Sequence, residues 1–351
     1  MSEPSPAWTL AELRAHVQAA IELALFTIPA YLTAYFSVVQ GASAAADRAA
    51  DALLGVLDQE MLHLELACNL ANALGQAPRL TGRAAPSYPG LVPSHRAPLR
   101  ITLGPATDAQ LRAFMAIELP VARDPYSRPD MPPQPVYSTI GEFYHALRFG
   151  FAQVFCPGGE PWPAPINAQI QGSFDDDHFA VTDLASATRA LDLIVLQGEG
   201  ASLDHPVDDR NELAHYTRLS TLIGTLGPGD LRPMRPGTAG LAHGARNAAL
   251  LDFFDACYSH LLRLLEAAFH GKGKIGPAVA LMSTVITPVA YHLVDTPYVE
   301  RDDGPETGAT LTPRFRCLTT SPQQAYDALD PRDRGAANLR EAAAALRLST
   351  D

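Results

Sequence analysis

Apolar residues recur along this 351-residue chain at three- and four-residue spacing, and the alternation that marks a strand is almost absent. Thr9 with Glu12 reads as a capping box that opens a first helix, running towards Gln40 with a kink at Pro29. A second helix is expected over about 45–74, stopping at Gly75 with Pro78 just beyond. Further helices are expected near 108–119, 139–155, 184–198, 211–223, 245–269 and 277–293, with one Ala-rich helix near 336–346. Proline-rich stretches at 120–135, 156–180 and 227–240 separate them. The pattern predicts an all-α chain: a helical bundle over 1–226, a helical layer packed on it over 241–297, and a polar tail over 298–351 with one short helix.

Composition narrows what such a bundle does. With 26 Lys and Arg against 38 Asp and Glu, the formal charge is −12, and no basic cluster offers a face for phosphates, which argues against nucleic acid. The four cysteines lie far apart and form no CxxC pair, a reduced, intracellular pattern. The N-terminus lacks the layout of a signal peptide, so a cytoplasmic location is expected. The stretch 19–39 carries Glu22 as its only charge and is long enough to span a bilayer. Its Glu, Pro and hydroxyls, and the lack of a second such stretch, favour a buried bundle helix instead.

Helix two carries the chemistry. Its apolar stripe runs Leu53, Val56, Leu57, Leu64, Ala67, Leu70, Ala71, Leu74, and Glu60 and His63 fill two stripe positions where hydrophobes belong. A carboxylate buried there costs several kcal/mol unless something compensates it, and a metal ion matches both ligand types. Glu22 meets the same problem, because residues 20–36 are apolar nearly all round the helix. Two such carboxylates and a histidine on successive helices form half of a di-metal carboxylate bundle. Glu142/His145 and Glu212/His215 repeat the Glu-x-x-His spacing, and Glu199, in QGEG, is a further carboxylate near a helix end.

Each candidate also has an ordinary structural role. Glu142 completes a capping box with Thr139, and Glu212 follows Asp209 at helix-start spacing. Glu22 could pair with a buried arginine, and His63 could be a satisfied core histidine. Tyr31 and Tyr144 are core aromatics that could also bond a ligand or line a substrate cavity. The GKGK run at Gly271–Lys274 lacks the remaining residues of a phosphate loop and reads as a turn between helices.

The segments IELALFTIPAYLTAY, QEMLHLELACNLANALGQAPRL, TIGEFYHAL, QGEGA and ELAHYTRL resemble, in that order, motifs of the ferritin-like domain family of iminophenylpyruvate dimer synthase, an enzyme of violacein-type bisindole biosynthesis. LLDFFDACYSHLLRLLEAAFHG and IGPAVALMSTVITPVAYHL are similar to its C-terminal helices, so the likeness spans Leu10 to Phe315 and identifies a stand-alone member. The resemblance implies a ferritin-like four-helix bundle with additional C-terminal helices and long Pro-rich loops. It implies Glu22, Glu60, His63, Glu142, Glu199 and His215 as metal ligands, with Glu212 in reserve. Iron, as one or two ions, or another divalent transition metal would be held there.

The implied activity is oxidoreduction of a small amino-acid-derived substrate in specialised metabolism, such as oxidative coupling of an imine or enamine. Dioxygen or peroxide, an amino-acid oxidase and further copies of the chain are the expected partners, and loops 120–135 and 156–180 the expected substrate entrance. The alternatives are a ferroxidase or metal-storage protein, and a metal-free scaffold or binding protein.

Overall fold

The computed structural model describes residues 7–120, 131–171, 177–198, 213–237, 241–302, 304–305 and 307–348. Two long helices come first, α1 (Leu10–Ser37) and α2 (Ala44–Ala73). Thr9 caps α1 by accepting from the Glu12 amide, and Ser43 caps α2 by accepting from Ala46. Gly75, at φ +71°, lies just past α2, where a left-handed residue ends a helix at least cost. The two run antiparallel: Arg14 donates to the Leu74 carbonyl, Thr27 reaches Glu60, and Ser37 lies near the short turn that joins them. The helix α1 passes through Pro29 unbroken.

A small antiparallel pair, β1 (Gly90–Leu91) with β2 (Arg100–Ile101), precedes the short helix α3 (Asp108–Ile117). The bundle is completed by α4 (Ile140–Val154) and α5 (Leu184–Gly198), which pack on each other and on α1 and α2 respectively. The six-residue α6 (His215–Ser220) lies against α3 and closes over α2 and α5.

The remaining helices form a layer on one side. The long α7 (Ala245–Phe269) contacts α2, and Gly271, at φ +66°, turns the chain into α8 (Gly276–Leu281). The expected single helix near 277–293 is interrupted by a π-helical turn, Met282–Ile286, before α9 (Thr287–Val294) resumes against α1. Pro288 explains the wider turn: without an N–H it cannot close the normal ladder, and Thr287 uses its hydroxyl to reach the Met282 carbonyl. The tail holds three helices rather than the one expected: α10 (Pro322–Asp327), α11 (Pro331–Arg334) and α12 (Ala337–Leu348). Leu311, Phe315, Leu329 and Leu339 bury it in the core.

Two runs, Leu10–Ser37 and Gly276–Val294, are long and apolar enough to cross a membrane, the second against the sequence expectation. In the first, 72% of the apolar window is buried within the fold, so α2 and its neighbours account for that composition. All four cysteines are unpaired.

Candidate metal centre

Four side chains from two helices and one helix end converge inside the bundle. Glu60 and His63 occupy one face of α2, a turn apart, and both are buried. Glu118 follows α3 directly, and His215 is the first residue of α6. Ligand atoms of Glu60, Glu118 and His215 all lie within 4.8 Å of one another. Glu60 Oε1 is 3.3 Å from the Nδ1 of both His63 and His215, and Glu118 Oε2 is 3.7 Å from the latter. The two imidazole rings lie 5.5 Å apart between centroids.

The remaining polar atoms are tied outward. Thr27 donates to Glu60 Oε2 and Tyr31 to Glu118 Oε1, each at 2.5 Å, so α1 contributes two hydroxyls one turn apart. His63 Nε2 meets Gln197 Oε1 at 3.0 Å, and His215 Nε2 meets Gln59 Oε1 at 3.0 Å. An amide oxygen only accepts, so both Nε2 atoms carry a proton, and a ring that carries no second proton turns its Nδ1 lone pair towards Glu60. Two lone pairs facing a carboxylate repel it unless a cation lies between. His215 Nδ1 is fully buried and has no hydrogen-bond partner among the described residues: the carboxylates are near, but outside bonding geometry. Carboxylate oxygens and imidazole nitrogens with no thiolate suit iron, manganese or zinc, and these residues therefore fit a divalent transition metal.

Electrostatics points the same way. Burial works to lower the His215 pKa, but Glu118 and Glu60 outweigh it and bring the ring up to about 9. Burial works to raise Glu60, but its contacts with His215 and His63 hold the carboxyl well below the usual range. A proton and a divalent cation thus compete for one Nδ1 position. Burial, reinforced by the Glu118 and Glu60 charges, keeps the hydroxyls of Tyr31 and Tyr144 protonated.

Beside the ligands lies a cavity of about 20 Å³, room for about one water or ion. Its other walls include Leu23, Ala24, Ile140, Gly141, Tyr144 and Val195. Tyr144 is thus at the cavity, and Tyr31 touches it through Glu118. Residues 156–171 lie elsewhere, hydrogen-bonding α2 through Asn69 and Asn72, and are absent from the described cavity wall.

Of the predicted ligands, Glu60, His63 and His215 come together, and two do not join them. Glu22 faces a surface groove with Arg14, Gln18 and Arg79, where Gln18 donates to it at 3.3 Å. The α1 face that meets the centre carries Thr27 and Tyr31, and the 100° step per residue turns Glu22 away from it. Glu142 turns to the start of α4 instead: its Oε2 accepts from the Ser138 amide at 2.7 Å, and the Thr139 hydroxyl accepts from the Glu142 amide at 3.0 Å. His145 is buried outside the group. Glu199 and Glu212 lie outside the described residues.

Glu118 was missed. It completes the Leu111–Phe114 stripe of α3 and sits at a helix C-terminus, where the dipole disfavours a carboxylate. Both features were readable from the sequence.

A profile described as Ferritin-like matches residues 17–224, more than half of the chain. The chain belongs to the Ferritin-like family. The ferritin-like bundle is likewise similar to the crystal structure of a ferritin-like protein from Caulobacter vibrioides. That match has 26% identity and a TM-score of 0.64, covering 82% of this chain and 96% of the other. No curated protein matches the chain. The all-α ferritin-like architecture expected from the helical pattern is therefore the one adopted, and α1, α2, α4 and α5 form its bundle.

Proposed function

We propose that this ferritin-like protein is a non-haem metal oxidoreductase, with iron as its metal, acting on a small amino-acid-derived molecule in specialised metabolism. One observation carries the reading: two imidazole Nδ1 atoms turned onto a buried carboxylate with a second carboxylate beside them, and no lysine or arginine among these contacts to neutralise the pair. Glu60, Glu118, His63 and His215 would hold the ion. Glu199 and Glu212 remain candidate further ligands.

Bound there, iron supplies one-electron redox chemistry and a binding position for dioxygen or peroxide. The protein's own groups do the rest. Thr27 and Tyr31 fix the two carboxylates by donating to their outer oxygens. Leu23, Ala24, Ile140 and Val195 exclude bulk water from the ligands, and Tyr144 offers a protonated hydroxyl at the cavity. In the concrete form suggested by the resemblance, two imine or enamine molecules are joined. Two electrons and two protons leave the pair and reduce dioxygen to hydrogen peroxide. An amino-acid oxidase would supply such imines.

The test is metal content by mass spectrometry of protein expressed with iron and reconstituted anaerobically. At least one ion per chain is expected, with loss in Glu60→Ala and Glu118→Ala. Substoichiometric metal in the reconstituted wild type, or full retention in both variants, overturns the reading. With metal in place, oxygen uptake coupled to consumption of an oxidase-generated imine separates this function from iron storage, which loads many ions per chain and consumes no imine.

A further inference from the structure

We infer that Gln59 and Gln197 are positioning residues of the centre: their amide oxygens accept the Nε2–H of His215 and His63, fixing both Nδ1 lone pairs on the metal position. The inference rests on the metal-binding reading above.

Three features set these contacts apart from ordinary core hydrogen bonds. First, they are symmetric across separate elements. Gln59 on α2 holds the histidine of α6, and Gln197 on α5 holds the histidine of α2, both at 3.0 Å. Second, both amides are buried with their rings, so water is a poor substitute for either acceptor. Third, a satisfied core histidine in the same molecule looks different. His16 uses Nδ1 on the Glu12 carbonyl at 2.8 Å and Nε2 on the Tyr137 hydroxyl at 3.0 Å, and presents no lone pair to a carboxylate.

A neutral imidazole has one donor and one acceptor nitrogen, and its tautomer follows whatever the other nitrogen bonds. With Gln59 and Gln197 in place, the donor is Nε2 in both rings, and the side facing Glu60 is the ligating side. Because Gln59 precedes Glu60 in sequence, one turn of α2 supplies a ligand and orients another. The choice of an amide also matters. A carboxylate in its place would draw the Nε2 proton towards itself and make the ring a stronger electron donor. An uncharged amide draws that proton less and leaves a bound ion more electron-poor, which raises its reduction potential.

The experiment uses the full chain loaded with Zn²⁺, or with Co²⁺ as a spectroscopic probe. In wild-type protein holding Zn²⁺, ¹⁵N NMR of the histidine rings should place the N–H of both rings on Nε2, in slow exchange with water. Gln59→Leu and Gln197→Leu should each weaken Zn²⁺ binding about 10- to 100-fold in a chelator competition. Gln59→Glu and Gln197→Glu, which restore an acceptor, should recover the affinity and shift the Co²⁺ absorption bands. Ring protons on Nδ1, or Leu variants with wild-type affinity, overturn the inference while leaving metal binding intact. If the Leu variants do not fold, the wild-type spectrum and the Glu variants still decide. A wild type that takes up neither metal removes the underlying reading as well.

Discussion

The candidate metal centre and the C-terminal layer each bury a pair of carboxylates, and they neutralise them in opposite ways. In the layer, Asp333 receives a two-pronged contact from Arg246 at 2.7 and 2.8 Å, and Asp255 receives Arg314 at 2.8 and 3.1 Å together with the Arg316 amide. A guanidinium is always charged and its fork matches a carboxylate, so these pairs are complete in themselves. In the bundle, Glu60 and Glu118 face two imidazoles that are charged only when protonated. One arrangement pins the tail to α7; the other leaves a position that suits a divalent cation. Buried acid alone does not mark a metal site. The number and chemistry of its partners do: Glu65, buried against the single imidazole of His178, joins no such group among the described residues.

The sharpest way to break this contrast is to remove the guanidinium. Arg314→Leu should cost about 3 kcal/mol in denaturant unfolding, because Asp255 is fully buried and loses its counter-charge. Burial already raises Asp255 to about 6 against the pull of Arg314, so the variant can shed part of the penalty by protonating. The loss should therefore shrink as the pH falls from 7 to 5, and metal content should be unchanged. Metal loss in Arg314→Leu would mean that the two clusters are coupled.

A graded effect, on the order of 2 kcal/mol, belongs to the bundle cluster. His215 is raised from 6.5 to about 9, so its contribution to the stability of chelator-treated protein is fully present below about 6.5 and lost as the pH rises through about 9. Glu60 is lowered from 4.5, so its share is present above 4.5 and fades as the pH falls below that value. Thermal melts of metal-free protein should show a plateau between these limits and a decline towards pH 9. Metal reverses the alkaline arm, since the cation no longer competes with a proton on Nδ1. Identical pH profiles with and without metal would refute the shared position.

These contrasts also explain what could be read in advance. The helices were legible because each signal was local: Thr9 and Thr139 cap helices where the periodicity begins, and Gly75 and Gly271 end two of them. Glu60 and His63 were legible because a polar pair interrupted a long apolar stripe whose spacing fixed their direction. Glu22 misled because α1 is apolar on nearly every side, so no contrast marked which face met the centre. Glu118 was overlooked because α3 is short, although its stripe position and helix-end location were the same kind of signal. The glutamines were invisible to any pattern, since their role exists only in the pairing of α2 with α6 and α5 with α2. The π-helical turn follows from Pro288, a local signal that was readable, and the turn also packs against α12.

The smallest expected effects test the two carboxylates that stand outside the centre. Glu142 is part of a helix cap: its Oε2 accepts the Ser138 amide, while the Thr139 hydroxyl accepts the Glu142 amide. Removing the side chain leaves the Thr139 half intact, so Glu142→Ala should cost about 1 kcal/mol or less. Glu22→Ala loses one long contact from Gln18 at the rim of a groove and should cost less still, within about 0.5 kcal/mol. Neither variant should change metal stoichiometry, measured beside Glu60→Ala in the same preparation. If Glu22→Ala released metal, α1 would have to turn in the loaded protein and exchange Thr27 and Tyr31 for Glu22. That rotation would break both of the 2.5 Å hydrogen bonds that now orient the carboxylates. Retention of metal in both variants therefore separates a centre built on hydroxyl-steered carboxylates from one with a carboxylate on every bundle helix.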